Sequence, residues 1–274
     1  MDALACALEL DRRVAVRGSR AATEIAEGWV LRSGDLPNVY SLNMLILTEP
    51  LADHFDARAL VGLADRWLGD LKHRFVRLDD QAVAERVWPE LERRGWRRGR
   101  TVFMALCTDP RDAIRDARAR EISDAQLDVV TQANFKQYDY GPETSAALVR
   151  QLVAAQRAMR AGTTARAFAA GEDGGLQSMC TLFLDGDVTG TPTAMVEEVG
   201  TLPSHRGRGL AKAVVSAAIR SAGEWGARLI VVPADADDWP QLLYSKLGFE
   251  PVGTHTSFTL RPTAVRRRAC ETAQ

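Results

Sequence analysis

The chain has 274 residues, 46% hydrophobic and 26% charged, with a formal net charge of -1. That length suits a well-buried core and falls between one large domain and two smaller ones. The near-neutral balance gives no global attraction to nucleic acid or to a membrane surface, so any basic site has to be local.

Residues 1–10 carry Asp2 and Glu9 and no basic leader before their apolar positions, a poor match to a signal peptide. No uncharged run approaches the roughly 18 residues of a bilayer-spanning helix. Cys6, Cys107, Cys180 and Cys270 are widely spaced with no C-x-x-C pair, so neither a structural zinc site nor a disulfide framework is expected. A reducing cytoplasm is the expected location.

In chain order, 3–27 has a weak, alanine-rich helical pattern broken at Gly18 and Gly28. Trp29-Val30-Leu31 and the apolar run 39–47 read as strands flanking a turn at 33–38. Residues 56–71 set Leu60, Leu63, Ala64, Trp67, Leu68 and Leu71 at helical spacing, and 75–78 reads as a short strand. A second helix covers 81–94, bent or divided at Pro89. Gly95-Trp96 then leads to a strand at 101–106. The same order of helix, glycine, aromatic and strand returns at Leu247-Gly248-Phe249 and 257–260, a faint internal repeat.

Asp109-Pro110 and the charged stretch 111–121 mark a boundary. Beyond it lie helices at 124–135 and 144–160, separated by the polar and aromatic loop 136–142. Residues 165–171 and 177–184 form a hairpin pair around Glu172-Asp173-Gly174-Gly175, and a second turn at 186–192 precedes a strand at 193–201. A helix from Leu210 turns Leu210, Val214, Ala217, Ala218 and Trp225 inward and ends near Gly226. Leu229-Ile230-Val231-Val232 then suits an interior strand. Strands in series feeding a helix and another strand make an α/β protein with a mixed (α+β) sheet.

Between strand and helix stands Ser204-His205-Arg206-Gly207-Arg208-Gly209-Leu210-Ala211, a basic, glycine-bearing turn. Glycines let the backbone approach a ligand, arginines bring charge, and the first amides of a helix point at an anion, so a phosphate suits the turn. Gly-x-x-x-x-Gly-Lys-Ser/Thr is absent and Gly207-x-Gly209 lacks the third glycine of a dinucleotide fingerprint. Binding of another nucleotide phosphate stays open.

Arg206-x-x-Gly209-x-Ala211, preceded by Pro203, resembles the Arg/Gln-x-x-Gly-x-Gly/Ala loop of the GCN5-related N-acetyltransferase (GNAT) family, and Tyr244-x-x-Leu247-Gly248-Phe249 is similar to a second block of that family. The resemblance implies an acyl-CoA N-acyltransferase (GNAT) fold over 118–262, a degenerate GNAT-like or accessory first copy over 1–110, and a tail at 263–274. It implies that Arg206, Gly207, Arg208, Gly209 and Ala211 hold the coenzyme A pyrophosphate and that Val199 and Thr201 meet the thioester arm. Asp237 and Pro240 depart from the asparagine and alanine frequent in the family.

The implied reaction moves an acetyl or short acyl group from acetyl-CoA to an amine on a small molecule or peptide, without a metal, nucleic acid or membrane. Tyr244 would protonate the departing thiolate. Glu197 or Glu198 would take the amine proton. Strand alternation puts Glu197 on the face of Val199 and Thr201 and Glu198 on the other, which favours Glu197 without deciding the matter. A coenzyme A-binding sensor or scaffold without turnover is the alternative. His54, His73 and His255 have no companion at metal-ligand or triad spacing, and Arg266-Arg267-Arg268 reads as a solvated terminus.

Overall fold

A computed structural model describes residues 2–48, 50–137 and 145–261. In chain order the elements are α1 (Ala3–Gly18), β1 (Ala21–Ile25), β2 (Gly28–Arg32), β3 (Met44–Leu47), α2 (Ala57–Leu68), β4 (Arg74–Leu78), α3 (Gln81–Arg93) and β5 (Arg97–Leu106). There follow β6 (Ala119–Ile122), α4 (Asp124–Gln137), α5 (Ala146–Ala161), β7 (Thr164–Ala170), β8 (Ser178–Val188) and β9 (Thr191–Thr201). The last are α6 (Leu210–Trp225), β10 (Leu229–Asp235), α7 (Pro240–Ser245) and β11 (Phe249–Leu260). Helix starts follow local capping chemistry: Asp56 accepts from the Ala59 amide, Asp80 from Val83 and Ser145 from Leu148. No helix among the described residues is long and apolar enough to cross a membrane.

Among the described residues, eleven strands form one sheet in the order β1-β2-β3-β4-β11-β5-β10-β9-β8-β7-β6. Only β3/β4 and β9/β10 pair in parallel, bridged by α2 and α6 respectively; the other pairs are antiparallel. The sheet therefore consists of two similar halves. Their last strands are exchanged: β5 lies between β10 and β11, and β11 lies between β5 and β4. The glycine-aromatic repeat sits at the root of this exchange, with Gly95 (φ 80°) and Gly248 (φ 90°) turning the chain from α3 and α7 into β5 and β11. Those two strands then pair with each other from Phe249–Leu106 to Thr259–Arg97. Exchange gives each penultimate strand a partner from the other half and leaves no internal sheet edge.

Helices cover both faces. On one, α2 and α3 pack on β3, β4 and Phe258 of β11, while α6 packs on the inward residues of β7–β10. On the other, α1 runs across the sheet's centre, with Leu10 and Val14 against Phe103, Phe183 and Met195, and α4 buries Leu127 and Val130 against β7 and β8.

Three local expectations are corrected, and the alternatives at Pro89 are decided. The helical pattern of 3–27 stops at Gly18, and Ala21–Ile25 instead forms a hairpin with β2. In the run 39–47, Tyr40–Leu42 is a 3-10 turn and the strand starts only at Met44. Pro89 does not divide α3, which runs from Gln81 to Arg93 with the proline on its exposed side. The strand β8 continues through Gly186 to Val188, so the turn is a tight one at Thr189-Gly190, both at positive φ. Most of the loop 136–142 and the cluster Arg266-Arg267-Arg268 lie outside the described residues.

Candidate active site

The site is organised by a fork between β9 and β10. Their parallel pairing ends at Met195–Val231. Beyond it β10 keeps β5 as its partner, whereas Val196 to Thr201 of β9 pair with β8 alone. One backbone edge of β9 is thus open to a ligand. The cause is a bulge: Glu198 and Val199 together oppose the single residue Cys180, and Glu198 takes φ 59°. Bulges bend and twist the strand that carries them, and a non-glycine residue at positive φ is costly, a combination that concentrates at functional sites.

That bulge corrects the alternation argument. Glu197 and Glu198 both line cavities on the α1 face, while Val199 turns toward the α6 side, beside Leu210 and Val214. Glu197 therefore does not share a face with Val199. Thr201 has its hydroxyl engaged with Ser178 Oγ at 2.9 Å.

Below the fork, Pro203–His205 forms a 3-10 turn and the chain passes through Arg206 to Gly209 into α6. Gly207 and Gly209 have φ 78° and 76°, and a Cβ at Gly207 would meet nothing within 4 Å. These glycines answer a backbone requirement and not a spatial one. No side chain caps the α6 N-terminus, and Ala211 lies in its first turn, so its amides suit an anionic ligand. Arg206 Nε donates to the Thr201 carbonyl at 3.3 Å, and Arg208 is drawn to Glu172. Arg118, which sequence reasoning passed over, donates from Nη1 to the Arg208 carbonyl at 3.1 Å. It is held by Asp116, whose carboxyl its hydrogen bond lowers to about 2. Arg118 stands 90 residues before Arg208 in the chain, so no local motif contains it.

Tyr244 of α7 is buried, with its ring edge-on to Phe249 at 6.2 Å. Burial, then the charges of Glu197 and Cys180, push its phenol above the ordinary value. Burial also pushes Glu197 well above the usual carboxylate range, with Asp11 and Glu198 adding to the rise. Glu198 is raised to about 7, chiefly by burial; the Thr181 hydroxyl, donating to it at 2.9 Å, and the charge of Arg160 hold it down. Asp237, at the family departure, pairs with Arg100 at 2.6 Å, and Pro240 opens α7.

On the α1 side lie two adjoining lobes of about 350 and 270 Å³, which share Asp11, Glu197 and His255. His255 earned no role from spacing, yet its ring lies 5.6 Å from that of Phe103 and its Nδ1 is buried without a hydrogen-bond partner. Burial, then Arg77, lowers its pKa well below the ordinary value, which keeps the ring neutral. The other histidines stand apart: His205 Nδ1 shares a hydrogen with Ser204 Oγ, and His73 stacks on Tyr40 at 3.8 Å. Among the described residues no group of three or more His, Cys, Asp or Glu is placed to hold a metal ion.

The same half of the chain thus carries an open strand edge, a basic glycine-bearing turn leading into an uncapped helix, and a buried phenol. Residues 128–249 match the model of the acetyltransferase (GNAT) family, and this part of the chain is a GNAT domain. Proteins of that family use acetyl-CoA. Among solved structures, the chain is similar to a GCN5-related N-acetyltransferase from Kribbella flavida, at 20% identity and TM-score 0.64, covering 96% of this chain and 97% of that one. It is also similar to a tandem GNAT protein from the clavulanic acid biosynthesis pathway, at 18% identity and TM-score 0.52, covering 94% of each. A functionally unknown conserved protein from Staphylococcus epidermidis shares 11% identity and a TM-score of 0.66, with 87% and 92% covered. At these identities the likeness establishes the fold, a tandem GNAT architecture. No curated protein matches the chain in sequence.

Proposed function

We propose that this protein is an N-acyltransferase, moving an acetyl or short acyl group from acyl-CoA to an amine. The observation that supports this reading is the fork itself: the stretch of β9 with an open edge carries Glu197 and Glu198 and runs on into the Arg206–Gly209 turn. Arg206, Gly207, Arg208, Gly209 and Ala211, joined by Arg118, would hold the pyrophosphate. Backbone groups of Val199 and Thr201 would meet the pantetheine arm. We keep 1–110 and 118–262 as the two copies, the second carrying the coenzyme A turn, with their last strands exchanged.

The step balances simply. Glu198, or Glu197 in its place, removes a proton from the acceptor ammonium, and the freed nitrogen lone pair attacks the thioester carbon. A C–N bond forms, the C–S bond breaks, and the thiolate takes the Tyr244 phenolic proton; the second proton of the attacking nitrogen, acidified once the C–N bond has formed, returns to the phenolate, so that the amide is neutral and one net proton stays on the glutamate. The free thiols Cys6, Cys107 and Cys180 support a reducing, cytoplasmic setting. The test is thiol release from acetyl-CoA over an amine panel, comparing wild type with Tyr244→Phe. Turnover lost with coenzyme binding kept supports the transferase. Tight coenzyme binding with no turnover in either protein favours a sensor.

A further inference from the structure

The two lobes are built by both halves of the chain. Asp11 comes from α1, Arg77 from β4 and Phe103 from β5, whereas Glu197 and Glu198 come from β9 and His255 from β11. Neither half encloses the space alone. Asp11 sits where the lobes meet and is fixed from behind: the fully buried Arg77 donates from Nη1 to Asp11, from Nε to Asp79 at 2.7 Å, and from Nη2 to the Leu8 carbonyl at 3.2 Å. One guanidinium is thus already shared between two carboxylates.

Around the junction stand the carboxyls of Asp11, Glu197 and Glu198, with Arg77 as the cation among the lining residues of the apolar lobe and His255 neutral. Burial raises all three carboxyls above their ordinary range; a cationic guest favours their charged forms, and an anionic guest opposes them. The unpartnered Nδ1 of His255 offers one more polar contact at the same place. Away from the fork, the smaller lobe is walled mainly by Val14, Met44, Phe75, Met159 and Phe183. Its volume of about 270 Å³ admits an apolar body the size of a ring.

From this geometry we infer that the acceptor is a small cationic amine with an apolar, ring-sized body, and that Asp11 of the first half grips its ammonium group. The inference rests on the transferase reading for its reaction, but not for its binding. The body fills the lobe of Met44, Phe75 and Phe183, and the amine stands at the junction beside Glu197 and Glu198. The half without a coenzyme A turn thereby supplies one wall and one charge of the acceptor site.

The probes are 2-phenylethylamine, ethanolamine, phenylalanine and a lysine-containing peptide, assayed with acetyl-CoA. Wild type is expected to favour 2-phenylethylamine in kcat/KM. Asp11→Asn is expected to raise its KM by about 10- to 100-fold, the loss of one charge-assisted hydrogen bond, with the coenzyme A Kd unchanged. Ser41→Trp narrows the same lobe from an exposed position away from the charged pair. It should penalise 2-phenylethylamine more than ethanolamine, and it keeps the inference testable if Asp11→Asn does not fold. Equal effects on the two amines, or preference for the peptide or for the carboxylate-bearing phenylalanine, overturn the inference. If no amine is acetylated although coenzyme A binds, the transferase reading fails, and calorimetry with 2-phenylethylamine decides the cavity separately. Binding weakened by Asp11→Asn upholds the inference, and absence of binding overturns it.

Discussion

The Thr181 hydroxyl donates to the Glu198 carboxylate across 2.9 Å, from β8 to the bulge of β9. This bond opposes the burial that raises Glu198 to about 7, so it sets where the carboxylate becomes available as a base. A base must be deprotonated to act. The rate constant kcat/KM is therefore expected to rise with pH through about 7 and then level off. Thr181→Val removes an interaction that favours the charged form, and the rising limb should move to higher pH. A profile that stays in place in the variant assigns the limb to another group.

The same group makes stability depend on pH. Its folded pKa lies above its ordinary value of 4.5, so the folded state favours the protonated form. The cost of Glu198 is absent below about pH 4.5, accumulates as pH rises, and is complete once pH has passed about 7. Glu198→Gln should match wild type near pH 4 in urea unfolding and exceed it near pH 8, by up to about 3 kcal/mol.

Gly209 tests the phosphate turn. At φ 76° an alanine strains the backbone by about 1–2 kcal/mol, while the nearest atom to its Cβ would be Arg118 Nη2, an unstrained 3.7 Å away. Gly209→Ala should weaken coenzyme A binding measured by calorimetry through conformation alone. Arg118→Ala should weaken it by roughly fivefold at low ionic strength and by less at high salt. Loss of affinity that ignores salt would show that Arg118 supports the loop without attracting the phosphates.

The exchanged strands predict one cooperative unit. Phe258 of β11 is fully buried beneath α3 of the first half, its ring 6.0 Å from that of Trp88. Phe258→Ala should cost about 3–5 kcal/mol and lower the stability of both halves together. Calorimetry should show a single transition, whereas two separate transitions, only one of them shifted, would contradict coupling through β5 and β11.

How legible this was depended on how local the cause is. The turn at Arg206–Ala211 could be read because glycine backbone freedom, charge and a helix start are packed into a few adjacent positions. Likewise α2 and α3 announce themselves through Asp56 and Asp80 and through periodic leucine, valine and alanine. The repeat was visible in Gly95-Trp96 and Gly248-Phe249, but the exchange was not, since β5 and β11 carry ordinary strand patterns and only tertiary packing chooses their neighbours. The bulge at Glu198 escaped because the sequence offers no glycine where φ turns positive, and that one residue reversed the assignment of faces. Asp11, Arg77 and His255 are far apart in the chain and meet only through α1, β4 and β11.

The most direct measurement is the product itself, followed by mass spectrometry as acetyl-CoA is consumed in the presence of an amine panel. A transferase built on this fork yields an N-acetylated amine and free coenzyme A in equal amounts. Their rate of formation should fall by about 100-fold or more in Tyr244→Phe. Coenzyme A bound tightly at the Arg206–Gly209 turn, with no acetylated amine formed from any acceptor, would contradict acyl transfer.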